Sequence, residues 1–219
     1  MGAPSRPRAL LRIARALMLQ GIDGSQFQAV IDWAAVKQSG QVNFAYARAS
    51  YGANYADPDF TRNHDIAKLR EIPLGAYHFW LYADDPIVQA NFFLSLTHQA
   101  GRFGPNIPMI DIEEGSFTGV PQVADAIAAI KAFLAPIEAI LAKKMLLYTN
   151  YDTWQRYLAN TSAFSENPLW LAQTENPADG LYGGWQKYAL WQDATIVVPG
   201  ISGPVDRDLL NGPLSLIQR

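Results

Sequence analysis

The chain has 219 residues, 49 % of them hydrophobic and 12 % aromatic, which excludes a disordered polymer and is enough to bury a sizeable core. It contains no cysteine, which excludes a disulfide framework, a thiolate metal site and a cysteine nucleophile. The formal charge of −3 is uneven: residues 1–20 carry Arg6, Arg8, Arg12 and Arg15 and no acid, and all 20 acids follow. An acidic body argues against nucleic acid as a partner, because neutralising phosphates needs a basic face.

The basic segment comes first. After Pro7, Leu10, Leu11, Ile13, Ala14, Leu17 and Met18 recur at helical spacing, with Arg8, Arg12 and Arg15 along one side. Residues 1–18 are expected to form a short basic N-terminal extension, helical and in weak contact with membrane or an anionic wall polymer. The competing reading is an extension with no role. Arg12 and Arg15 interrupt the apolar stretch and no clear cleavage site follows, so a signal peptide is not expected. No uncharged apolar run reaches the ~18 residues that a membrane span needs.

From residue 19 to 219 one domain is expected, because barrels of this size often stand alone. Short apolar runs bounded by Gly, Pro or Asn predict strands at Leu19–Asp23, Asn43–Ala49, Pro73–Trp80, Ile107–Glu113, Met145–Thr149, Leu169–Gln173, Tyr188–Gln192 and near Pro204–Asp206. Helical patterns fall between them at Trp33–Gln38, Thr61–Arg70, Pro86–Ala100, Val120–Lys143 and Tyr151–Leu158. Pro136 is expected to kink or end the fourth helix. Five strand–helix alternations and three strands with little room for helices predict an α/β fold: an irregular TIM-like barrel, (β/α)5(β)3. The runner-up is an open doubly wound sheet, which lacks its usual Gly-x-Gly-x-x-Gly after the first strand.

In such a barrel, chemistry gathers at the C-terminal ends of strands. Acids stand at several of them: Asp23 in LMLQGID, Asp111 and Glu113 in IPMIDIE, and Asp206 with Asp208 in GPVDRDLLNG. Strand alternation points Asp111 and Glu113 to one side, ~6.6 Å apart at their attachment points, and Ile110 and Ile112 to the other. Like charges that close raise one pKa, leaving an acid beside a carboxylate, as glycosidic cleavage requires. The alternative is a surface pair at a strand end. The histidines, His64, His78 and His98, show no ligand spacing. No metal and no cofactor is expected, although an all-carboxylate magnesium site from Asp23, Asp111, Glu113 and Asp206 is conceivable. A serine triad lacks its Gly-x-Ser-x-Gly elbow. Tyr77, His78, Phe79, Tyr148, Trp170 and Trp191 with Gln192 add aromatic faces suited to sugar rings.

These residues, taken together, resemble glycoside hydrolase family 25, the Chalaropsis-type lysozymes of phages, bacteria and fungi. The resemblance runs from Leu19 to Gly212 through GIDGSQFQ, IDWAAVKQSG, FAYARASYG, DPDFTRNHDIAKLREIPLGAYHFW, MIDIEE, LLYTNYDTW, PLWLAQ, LWQ and VDRDLLNG, in order. It implies cleavage of the β-1,4 bond between N-acetylmuramic acid and N-acetylglucosamine in peptidoglycan. By position, Glu113 matches the general acid, Asp111 its partner, Asp23 the acid of the first strand and Asp206 that of the last. Tyr77 and Trp170 match groove aromatics. Arg48 stands where lysine is common and Gly24 where valine is common; Arg48 is expected among the substrate contacts, with altered donor geometry. The resemblance implies action on glycan strands at the bacterial cell wall, secreted or phage-delivered, and a monomer is expected. Two other functions stay open: a non-catalytic wall-binding or virion barrel, and a hydrolase of another amino-sugar polymer such as chitin.

Overall fold

The computed structural model describes Arg15 and residues 17–174 and 180–219. In chain order it contains β1 (Leu19–Gly24), α1 (Trp33–Ser39), β2 (Phe44–Tyr51), β3 (Tyr55–Ala56), α2 (Phe60–Leu69), β4 (Leu74–Phe79), α3 (Pro86–Leu96), β5 (Met109–Asp111), α4 (Val123–Leu141), β6 (Leu146–Thr149), α5 (Tyr151–Leu158), β7 (Leu169–Ala172), β8 (Leu190–Val197) and β9 (Pro204–Leu210). The strands pair in the order β1-β9-β8-β7-β6-β5-β4-β2, and β1 pairs with β2 to close the barrel. This is the expected (β/α)5(β)3 architecture. The two-residue β3, which pairs with the end of β2 outside the ring, carries no signal in the sequence.

Helix starts are set by local chemistry. The Asp32 carboxylate accepts from the backbone N–H groups of Ala34 and Ala35 at the head of α1. Asp85 does the same for α3, with Pro86 in the first turn, and Asn150 caps α5 through Thr153. Each satisfies N–H groups that the helix leaves without partners. α3 stops at Leu96 rather than Ala100, where Thr97 turns its hydroxyl back onto the Phe93 carbonyl. α4 continues past Pro136 to Leu141, so proline does not end it. The ring removes a single hydrogen bond from a helix whose Ile130, Phe133, Leu134 and Ile137 are all buried.

Strand direction brings one correction. The sequence reading sets Asp206 and Asp208 near the end of the last strand and leaves that strand's direction open. β9 runs antiparallel to both β8 and β1. The connection between β8 and β9 is only six residues, too short for the crossover that a parallel partner requires. The start of β9 therefore lies at the end of the barrel where the other strands finish, and Asp206 stands opposite Asp23.

Two cores result. Outward-facing residues such as Ala47, Ala76, Ile110, Ile112 and Leu171 pack with the helices. Inward-facing residues fill the barrel: Phe44, Leu146, Leu190 and Leu210 below, Tyr46, Met109 and Trp170 above. Gly21 and Gly75 make this filling possible, because a Cβ there would lie 2.1 Å from the Phe44 ring and 2.4 Å from the Tyr46 ring. Most of the expected 1–18 extension, including its basic helix, falls outside the described residues. Arg15 is described: its guanidinium lies 4.3 Å from the centre of the Trp191 ring and pairs with Asp193 at 3.3 Å.

Candidate active site

A pocket of about 240 Å3 opens above the filled barrel, at the end where the parallel strands finish. Four acids reach it from three directions: Asp23 from the end of β1, Asp111 and Glu113 from β5 and its extension, and Asp206 from the start of β9. Glu113 lies two residues beyond the hydrogen-bonded strand, but its backbone stays extended at φ −137° and ψ −176°. The alternation that begins in β5 thus continues through it, while Ile110 and Ile112 are buried on the helix side. The Glu113 N–H donates to Ser116 Oγ at 3.1 Å, which fixes the turn that follows.

Crowding governs the charge. Burial is the leading cause that raises the carboxyl pKa of Asp111, followed by the negative charges of Glu113 and Asp23, with Arg48 opposing. Burial and then Asp206 raise Glu113. Burial, then Asp206, push Asp23 to about 7, against the hydrogen bond from Gln192. Not all these groups can ionise together near neutral pH, so the pocket holds protons and carboxylates side by side.

Arg48 is the cation of the pocket. Its Nε donates to Asp57 Oδ2 at 3.0 Å, and both side chains are buried. A bulge in β2 directly after Arg48 shifts the register against β4, so Ser50 faces His78. Tyr148 donates its hydroxyl to Gln192 Oε1 at 2.8 Å, and Gln192 Nε2 donates to Asp23 Oδ2 at 2.7 Å. Tyr77 and Phe79 complete the wall from β4.

Three of the aromatic side chains expected in the groove lie elsewhere. His78, between Tyr77 and Phe79, points outward by the same alternation that turns its neighbours in. It is fully buried, 4.7 Å from the Phe133 ring centre, and held by Ser50 and Gln89. Burial drops its pKa to about 4. Trp191, beside Gln192, also faces outward, where it meets Arg15 and donates to the Gln173 carbonyl. Trp170 points into the barrel but one layer below the pocket, 4.7 Å from Tyr46, and donates to Asp208 Oδ1 at 3.0 Å. Asp208 is likewise beneath the pocket floor and fully buried.

Phe27, which lines the pocket, carries no expectation in the sequence. It is 77 % exposed, on a short 3-10 turn fixed by Ser25 and Gln28, with the Arg48 guanidinium 5.4 Å from its ring centre. Its place directly after GIDGSQ, at the end of the first strand, was the available signal. Asp57, which holds Arg48, was similarly silent.

A larger cavity of about 550 Å3 opens at the opposite end, beside Leu74, Pro105 and Arg219. Its one acidic side chain is Glu71, so paired-carboxylate chemistry belongs to the smaller pocket. Among the described residues no group of three or more His, Asp or Glu is arranged to hold a metal ion.

The family model of glycosyl hydrolases family 25 matches residues 22–201. Lysozyme M1 of Streptomyces globisporus is 32 % identical over 201 residues, which span 89 % of this chain and 68 % of that protein. Among solved structures, a bacterial lysozyme from Streptomyces coelicolor is 29 % identical with a TM-score of 0.80, covering 91 % of this chain and 95 % of its own. A muramidase from Trichobolus zukalii is 25 % identical with a TM-score of 0.77, covering 90 % and 95 %.

Proposed function

This chain belongs to glycosyl hydrolases family 25, and from that premise we propose that it is a lysozyme acting through the four-acid pocket. The bond cut is the β-1,4 linkage between N-acetylmuramic acid and N-acetylglucosamine, in peptidoglycan strands at the bacterial cell wall. The similarity to proteins described as lysozymes and a muramidase supports this substrate. The observation that carries the mechanism is the placement of Asp111 and Glu113 on one wall of a pocket that crowds them with Asp23 and Asp206. Residues 19–219 form the catalytic barrel, with the basic segment as an extension.

Glu113 is the general acid. It is the more exposed member of its pair, and burial, then Asp206, raise its pKa, which favours the protonated form that a general acid needs. It gives that proton to the glycosidic oxygen as the C–O bond breaks. Asp111 lies deeper, with one oxygen, Oδ1, buried and lacking a hydrogen-bond partner. It orients the 2-acetamido group of the substrate, whose carbonyl oxygen attacks the anomeric carbon and whose N–H supplies a donor. Water then opens the cyclic intermediate, passing its proton to the Glu113 carboxylate, and the anomeric configuration is retained. Such substrate assistance departs from the usual two-carboxylate scheme. Asp23 and Asp206 hold the negative potential and the sugar; Tyr77, Phe79, Tyr148, Gln192 and Arg48 line the contact surface.

The test is the reducing end of fragments released from purified peptidoglycan, read by mass spectrometry. Muramic acid is expected there; glucosamine overturns the cleavage site. Glu113→Gln is expected to lower kcat by about 10³–10⁴-fold with the fold intact. The first product, observed by NMR, should be the β-anomer, and an α-anomer removes the acetamido route.

A further inference from the structure

Beneath the pocket, Asp208 has surroundings that no ionised carboxylate would share. It is fully buried. Its Oδ1 accepts the Trp170 indole N–H at 3.0 Å, while Oδ2 is buried and receives no donor from any neutral or basic group. The acid nearest that oxygen's side of the strand is Asp23: Asp206 pairs with Asp23 and Asp208 with Gly21, so Asp208 and Asp23 are diagonal neighbours on the inward face. A buried carboxylate oxygen with no donor is costly unless it carries a proton, which turns it into a donor toward the neighbouring acid. Asp23 is partly exposed and already accepts from Gln192 Nε2. Asp208 has no such donor on Oδ2, which assigns the proton to it.

We propose that Asp208 is a neutral carboxylic acid that positions Asp23 from below, its Oδ2–H donating to the Asp23 carboxylate while its Oδ1 is anchored by Trp170. It never touches substrate; it is a positioning residue that fixes the orientation and the charge of one that does. The inference rests on the hydrolase reading of the pocket above it. It also separates the two acids of VDRD: Asp206 lines the pocket, and Asp208 stands below as a donor. The groups around Asp208 agree with a proton there. Asp23 from β1 and Asp206 on its own strand are acids, and each raises its pKa beyond what burial does. Tyr46 from β2 and Tyr148 from β6 stay protonated because burial raises them. No cation is among the influences on it.

The direct test is an infrared difference spectrum, wild type minus Asp208→Asn, near neutral pH. The expected difference is loss of a carboxylic-acid C=O stretch. Loss of a carboxylate band instead overturns the proposal. A second reading uses the acid limb of the kcat/KM profile. Asparagine can both donate to Asp23 and accept from Trp170, so Asp208→Asn should shift the limb by less than about 0.3 unit and keep kcat/KM within about 3-fold of wild type. Asp208→Ala removes the donor and should move the limb upward and lower kcat/KM by about 10–100-fold. Were Asp208 ionised, asparagine would remove a negative charge beside Asp23 and drive the limb downward by about one unit or more. Loss of turnover in Glu113→Gln reports on the hydrolase reading independently, so the two ideas fail separately.

Discussion

The two walls of the pocket are held in place by different physics. The β4–β5 wall is backed by α3 and α4: Ile110, Ile112 and His78 are buried on its outer side against an apolar layer that includes Phe93 and Phe133. Packing fixes that backbone, and Asp111 and Glu113 follow from strand alternation. The β8–β9–β1 wall holds its acids through hydrogen bonds instead: Tyr148 to Gln192, Gln192 to Asp23, and Trp170 to Asp208. On its outer side Arg207 makes two hydrogen bonds of 2.8 Å to Asp193, and Arg15 joins them. A packed wall tolerates a change of charge but not of volume. A hydrogen-bonded wall tolerates the reverse.

After Glu113→Gln, the largest expected effect also tests the packed wall. Asp111→Asn keeps volume and should lower kcat by about 10²–10³-fold through loss of charge at the reacting sugar. Stability should move the other way. The native state binds the Asp111 proton more tightly than the unfolded chain does, because burial, then Glu113, raise its pKa. The resulting stabilisation is full below the unfolded value near ~4 and is lost as pH rises through the folded value. Asparagine mimics the protonated form, so the variant should equal wild type in Tm at pH 4 and exceed it at pH 8. Equal Tm at both pH values would show that burial does not strain this carboxyl.

The polar wall is tested at Asp193. Its side chain is fully buried and serves two arginines that are each about a quarter exposed. Asp193→Ala should cost about 2–3 kcal/mol in denaturant unfolding, less than a wholly buried pair because water can reach the arginines. Arg15→Ala removes one partner and the Trp191 stacking, and should cost only ~1 kcal/mol. A larger loss for Arg15 would make the basic segment part of the fold. The smallest effect is at the rim, where Phe27→Ala should raise KM about 2–10-fold with kcat and Tm little changed.

The same contrast explains which parts could be read from sequence. Placing Asp111 and Glu113 on one face needs only local alternation, and MIDIEE displays it. The alternation that turns Tyr77 and Phe79 inward also turns His78 outward, so that residue could have been excluded without coordinates; Trp191 beside Gln192 is the same case. Trp170 is different. It does face inward, but its depth depends on how far neighbouring strands are staggered around the ring, which no single segment encodes. The direction of β9 was hidden because β8 runs on to Val197, five residues past the predicted end at Gln192, which leaves only VPGISG, too short for a crossover. The partnership of Asp23 with Asp208 and Gln192 joins residues more than 160 positions apart and became visible only when the ring closed.

The reversed final strand also decides where the barrel can be tethered. Because β9 runs against β1, Leu19 and Leu210 stand side by side, about 13 Å along the strands from the pocket acids. A carrier, surface linker or affinity module attached near either residue would hang from the base and leave the mouth unobstructed. A circular permutant that joins the chain after the buried Ile217 back to Leu19 and reopens a helix-side loop would keep the cleft intact, a practical handle that the chain's strand directions supply.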